Sequence, residues 1–121
     1  MTGGPDDRAY LKHIIECIAR IRRYTVGGRL AFLADEMIQD AVVRNLQTLA
    51  ESTQRLSAAL KQRHTSIDWR LIGRFRNVVV HHYLALDVER IWDVVEQQLD
   101  PLNHVVSQAL AELDSSPMSE D

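Results

Sequence analysis

From Arg29 to Gln62 neither glycine nor proline interrupts the chain, and no other feature narrows the fold as far. Along that run Leu30, Leu33, Met37, Ala41, Val42, Asn45, Leu46, Leu49, Leu56 and Leu60 recur mainly at intervals of three and four. That period puts side chains on one stripe of a helix and cannot serve a strand, whose faces alternate every second residue. The run predicts one long helix with room for a bend at Glu51-Ser52-Thr53. Its length would exceed the usual ~11–12 residues by two- to threefold, which suits an up-and-down bundle or a dimer seam. Asn45 on the stripe reads either as a buried, register-setting amide or as a partly exposed one.

The rest of the chain repeats the helical pattern. Asp6-Asp7 supply an N-cap and first-turn charge, and Leu11, Ile14, Ile15, Ile18 and Ile21 form an inward stripe. Arg20, Arg22 and Arg23 suit the carbonyl end of that helix, which Gly27-Gly28 end. Arg63 to Ser66 read as a loop with Ser66 as a cap, and Ile67 opens a further helix with Trp69, Leu71 and Ile72 inward. Gly73 costs that helix about 1 kcal/mol against Ala, so it marks a close approach or a bend. Val78-Val79-Val80 would suit a strand, but the sequence offers no second strand to pair with it, so the helix is expected to continue. Asp87 caps a helix from Val88 to Leu99 with Val88, Ile91, Trp92, Val95 and Leu99 inward, and Asp100-Pro101 open a last one, Leu102 to Leu113. The expected fold is all-α: one antiparallel up-and-down bundle of four to five helices over residues 1–113. Residues 1–5 are expected to be a loose terminus and 114–121 a flexible acidic tail. Trp69 and Trp92 are expected in the core, and His13, His64 and His104 at surface or cap positions.

At 121 residues, 45% hydrophobic and 26% charged, the composition is that of a single globular domain. No apolar run approaches the roughly 20 residues of a membrane span, and the first residues carry no basic-then-apolar leader pattern. Cys17 is the only cysteine, which excludes an internal disulfide and offers no zinc-binding pattern. A reducing cytoplasm is the expected location. The net charge of −3 conceals a division: Arg55, Lys61, Arg63, Arg70, Arg74 and Arg76 face only Asp68 before Tyr83, whereas nine acids face only Arg90 from Asp87 onward. Two solvated faces would explain this, and so would a basic surface that meets phosphate, with Arg70 and Arg74 as RNA contacts.

That basic segment contains the densest chemistry of the chain, Arg76-Asn77-Val78-Val79-Val80-His81-His82-Tyr83. A guanidinium grips phosphate bidentately, and an imidazole with an unperturbed pKa of about 6.5 moves protons at neutral pH. RNA cleavage needs a base for the 2′-hydroxyl, an acid for the leaving oxygen and a fixed cation for the phosphorane, with no metal required. On a helix, however, Arg76 and His81 lie about 140° apart. A kink after Gly73, or a second chain related by a two-fold axis, would be needed to join them.

The run Arg-Asn-x-x-x-His-x-Tyr, with Trp69-Arg70-x-Ile72-Gly73 before it and Val88-Glu89-Arg90-Ile91-Trp92 after it, resembles the HepT family of HEPN-domain proteins, also filed as DUF86. Tyr10 to Ile18 and the Gln39 to Leu46 block resemble it too, so the similarity covers nearly the whole chain. The resemblance implies a helical homodimer with both Arg-x4-His elements lining a cleft at the interface. It implies a metal-independent ribonuclease acting on RNA such as tRNA or mRNA, without a cofactor, as the toxin of a toxin–antitoxin pair. The implied partner is a minimal nucleotidyltransferase antitoxin that uses ATP to attach AMP to the tyrosine. Carried over, Arg76 and His81 are the catalytic pair, Asn77 a supporting residue and Tyr83 the AMPylated position. His82 stands where the family often has an acid, which adds potential positive charge and leaves the motif intact. The block at Leu49-Ala50-Glu51-Ser52 is looser than the family pattern, and no function is attached to it. The alternative is a catalytically inactive helical module that binds RNA or the nucleotidyltransferase.

Overall fold

The computed structural model describes residues 6–81 and 87–115, and every regular element among them is helical. These are α1 (Asp7–Tyr24), α2 (Gly28–Ala34), α3 (Glu36–Arg55), α4 (Ala58–Arg63), α5 (Trp69–His81), α6 (Val88–Gln97) and α7 (Leu99–Ser115). The all-α expectation holds, while the described residues form seven helices where four to five were expected. The expected loose terminus at 1–5 and most of the expected tail, 116–121, lie outside the described residues. Asp114 and Ser115, placed in the tail by the sequence reading, belong to α7.

Cross-helix pairs define the topology. Asp7 bonds to Ser57, His13 to Ser52 and Cys17 to Thr48, so α1 and α3 run antiparallel. Ion pairs Arg8–Asp114 and Arg22–Asp100 set α7 antiparallel to α1 on another side. Arg76 meets Glu51, and Gly73 abuts Gln54, which sets α5 antiparallel to α3. The core lies where α1, α3 and α7 meet: Leu11, Ile14, Ile18 and Ile21 pack with Val42, Leu46 and Leu49 and with Leu102, Val106 and Ala109. Each large apolar side chain removed from water there contributes about 1.5–3 kcal/mol. Phe32 of α2 and Trp92 of α6 close one side of the core, their rings tilted at 41° with centroids 5.4 Å apart.

The long helix expected from Arg29 to Gln62 is instead three helices. At Asp35 the backbone turns extended, with φ −129° and ψ 106°, and its carboxylate accepts from the Met37 and Ile38 amides at 2.9 and 3.3 Å. At Ser57, φ −65° and ψ 152°, the hydroxyl accepts from the Leu60 amide at 3.2 Å. Both breaks use capping side chains rather than glycine or proline, so no helix-breaking residue marks them in the sequence. The second break falls after Glu51-Ser52-Thr53, through which α3 runs unbroken. The break at Asp35 leaves Leu30 of α2 and Met37 of α3 exposed, at 79% and 78%, and α2 buries Phe32, which the stripe did not include. Asn45 is buried, its amide donating to the Ala41 carbonyl at 2.9 Å.

Other local expectations shift by a turn or less. α1 ends at Tyr24, before Gly27-Gly28, where Gly28 takes φ +86°. Asp6 makes no side-chain cap, and Asp7 is buried. Asp87 caps α6 as expected, through the Glu89 amide. α7 starts at Leu99, so Asp100-Pro101 lie inside its first turn, where proline is tolerated.

Candidate functional site

The chemistry-bearing residues lie on α5. Asp68, and not Ser66, caps its start by accepting from the Leu71 amide at 3.1 Å. Trp69 is half-buried against the core and its indole N–H donates to the His64 carbonyl at 3.0 Å, which pins the first turn to the end of α4. Ile72 and Phe75 also pack on the core, whereas Leu71, expected inward, is 48% exposed. Gly73 is a close approach: a Cβ there would lie 2.4 Å from the Gln54 amide nitrogen. It does not break α5, which runs unbroken to His81 through Val78-Val79-Val80.

Arg76 is half-buried beside α3, its Nη2 3.3 Å from the Glu51 Oε2. The two side chains are 32% and 40% exposed, so the pair stays in contact with solvent. An ion pair of that exposure is worth at most about 1 kcal/mol, and a phosphate can compete with it. Nothing in the sequence links Glu51 to Arg76, 25 positions away. Only the antiparallel register of α3 and α5 brings them together.

Arg70, Arg74 and Asn77 are exposed, and neither arginine makes an ion pair among the described residues. At about 100° per residue, positions 70, 74, 77 and 81 fall within an arc of about 60°, forming one stripe along α5. Arg76 lies about 140° from position 81 on the same scale. The single chain therefore presents a stripe ending at His81 and, on another side, an arginine held by Glu51. His82 and the proposed modification site Tyr83 lie outside the described residues.

Of the other histidines, expected at surface or cap positions, His104 is exposed and His64 is the C-cap residue of α4, whereas His13 departs from the expectation. His13 is half-buried between α1 and α3, its Nδ1 2.7 Å from the Ser52 hydroxyl and its Nε2 3.5 Å from the Cys17 sulfur. The His64 side chain is 9% exposed, with Nε2 3.4 Å from the Glu112 carboxylate, at an angle that makes no hydrogen bond. Among the described residues no group of three or more His, Cys, Asp or Glu is placed to hold a metal ion, and no helix is long and apolar enough to cross a membrane.

With this geometry in view, the profile of the Ribonuclease HepT-like family matches residues 14–109. The chain belongs to that family. It is 32% identical over 94 residues to "Probable ribonuclease HepT" of Thermococcus cleftensis, covering 77% of this chain and 86% of that protein. It is 27% identical over 112 residues to a Methanocaldococcus jannaschii protein named "Gamma-glutamylcyclotransferase and putative RNase", covering 92% of this chain and 50% of that protein. The chain thus spans half the length of that relative. No solved structure matches it. A ribonuclease-type function is what the family and these relatives support.

Proposed function

We propose that the protein is the toxin of a HepT-type toxin–antitoxin pair, a metal-independent endoribonuclease of the cytoplasm. The observation that carries this reading is the Arg-x4-His element on one unbroken helix, flanked by the exposed cations Arg70 and Arg74, in a chain of the HepT-like family. In the proposed reaction a neutral imidazole takes the proton of the 2′-hydroxyl, and the 2′-oxygen attacks the adjacent phosphorus. The imidazolium so formed gives that proton to the 5′-oxygen as its bond to phosphorus breaks, and Arg76 stabilises the charge on the phosphorane. The unbroken α5 supports the dimer over a kink as the way Arg76 and His81 meet. Asn77, on the stripe with position 81, supports the imidazole or the phosphate, and Arg70 and Arg74 contact the RNA backbone.

The off-switch in this reading is AMPylation of Tyr83 by a minimal nucleotidyltransferase that uses ATP. A phosphodiester and a purine added there would oppose the cation and occupy space that RNA requires.

Arg76→Ala and His81→Ala should each abolish RNA cleavage in EDTA while the far-ultraviolet circular dichroism stays helical; full cleavage by either variant sinks the reading. Tyr83→Phe should keep its mass when co-expressed with the nucleotidyltransferase and stay toxic, where the parent gains AMP units. A second reading, an inactive module that binds RNA or the nucleotidyltransferase, draws on the Glu51–Arg76 ion pair, which occupies the arginine. Tight RNA binding without turnover by the unmodified protein would decide for it.

A further inference from the structure

An open cleft of about 900 Å³ lies between α4 and the start of α5, away from the Arg76–Glu51 pair. Its walls carry two cations, Lys61 and Arg70, the amide of Gln62, the hydroxyls of Thr65 and Ser66, and the indole of Trp69. The one acid among its lining residues, Asp68, is engaged by the Leu71 amide at the start of α5. The antiparallel register ties this cleft to the candidate site. Gln54, which also lines it, is one helical turn beyond Glu51 on α3 and abuts Gly73 on α5, one turn before Arg76. Arg70 and Arg76 are six residues apart on one helix, about 9 Å along its axis. Cleft and arginine therefore lie along one seam.

We propose that this cleft is a subsite for an RNA strand, in which Lys61 and Arg70 hold a backbone phosphate a short distance along the strand from the bond that is cut. The proposal rests on the ribonuclease reading above and names residues that the Arg-x4-His element does not contain. The chemistry of the lining fits a ribonucleotide: cations for the phosphate, amide and hydroxyl groups for the 2′-hydroxyl and base edges, and an indole wall against which a base stacks. Trp69 is suited to that role because its N–H is tied to His64, so the ring is held in place. The Lys61 ammonium lies 3.5 Å from the Gln54 carbonyl. Burial pushes its pKa below the usual lysine value, with the Asp7 carboxylate pulling the other way. A cation already stripped of part of its water gains more from an arriving phosphate than a fully hydrated one. A cleft this open also suits a strand passing through better than an enclosed metabolite.

The test compares two substrates, a single-stranded RNA long enough to cross the cleft and a dinucleotide that cannot reach it. Lys61→Gln and, independently, the exposed Arg70→Gln should each lower the ratio of kcat/KM for the long strand to that for the dinucleotide by about tenfold, through KM. Each should also reduce the salt dependence of binding by about one phosphate contact, measured by anisotropy on a strand with 2′-deoxy substitution at the cut site. Lys12→Gln on α1, outside the cleft, should leave the ratio at the parent value. An equal fall on both substrates would mean a structural role only and would overturn the subsite, as would an unchanged ratio in both cleft variants. A loss of nucleotidyltransferase binding with the ratio unchanged would assign the surface to that protein and overturn it too. A parent protein that cleaves neither substrate would overturn the ribonuclease reading and the subsite with it.

Discussion

Asp7 shows how far one residue's role can move from its local signal. Two acids at the head of a helix read as a cap and a favourable charge on the dipole, and the reading stops there. In the fold Asp7 is 1% exposed and accepts from the Ser57 amide at 2.9 Å and the Ser57 hydroxyl at 2.7 Å, across 50 positions. It thereby holds the residue that starts α4. Asp7→Ala strips the partly buried Ser57 donors of a charged acceptor, and a loss of about 1–3 kcal/mol in urea unfolding is expected. Lys61 offers a second residue-scale test through pH. Its folded pKa lies below the ordinary lysine value of 10.5, chiefly because burial disfavours the charged form. Between the two pKa values the unfolded chain binds more protons than the folded one, so this lysine's contribution to stability rises with pH through that window. The urea midpoint of the parent, less that of Lys61→Met, should therefore climb as alkaline pH approaches 10.5. A flat difference would contradict the burial.

At the scale of elements, the stripes on α1, α6 and α7 were legible because each helix buries one face against the same core. Leu11, Ile14, Ile18, Ile21, Ile91, Trp92, Val106 and Ala109 all lie where their period places them. The breaks in the run from Arg29 to Gln62 are not legible in the sequence, because Asp and Ser interrupt a helix only when their side chains turn back on the next backbone amides. Composition alone does not separate that from a solvent-facing Asp or Ser. Gly73 was read as a bend or a close approach, and α3 decides for the approach. A methyl group there meets only the far end of the Gln54 side chain, which can swing aside. Gly73→Ala should accordingly stabilise the protein by up to about 1 kcal/mol through helix propensity. Gly73→Leu should cost about 1–3 kcal/mol by forcing α3 and α5 apart. Thermal and urea unfolding of the two variants should bracket the parent, and a destabilised Gly73→Ala would mean that Gln54 is locked in place.

For the whole molecule the decisive quantity is the angle between Arg76 and position 81. An unbroken α5 keeps them about 140° apart, so in the proposed dimer each site takes its arginine from one chain and its imidazole from the other. Mixing inactive Arg76→Ala with inactive His81→Ala tests this directly. A mixed dimer then carries one site with both residues intact, and subunit exchange should restore roughly a quarter of parent activity. If both residues of a site come from the same chain, no mixture recovers, and the composite site is wrong.

The sequence by itself determined the helical class, most of the inward faces and the candidate site positions 76, 77 and 81, because helical period and residue chemistry are local properties. Its likeness to the HepT-like family was legible for the same reason, since the motif is contiguous. Only the tertiary structure decided where the long run breaks, that Gly73 marks a close approach and not a bend, that Glu51 holds Arg76 and that Lys61, Trp69 and Arg70 share a cleft. Each of these depends on residues of different helices meeting in an antiparallel register, and no period along one helix encodes its partner's register.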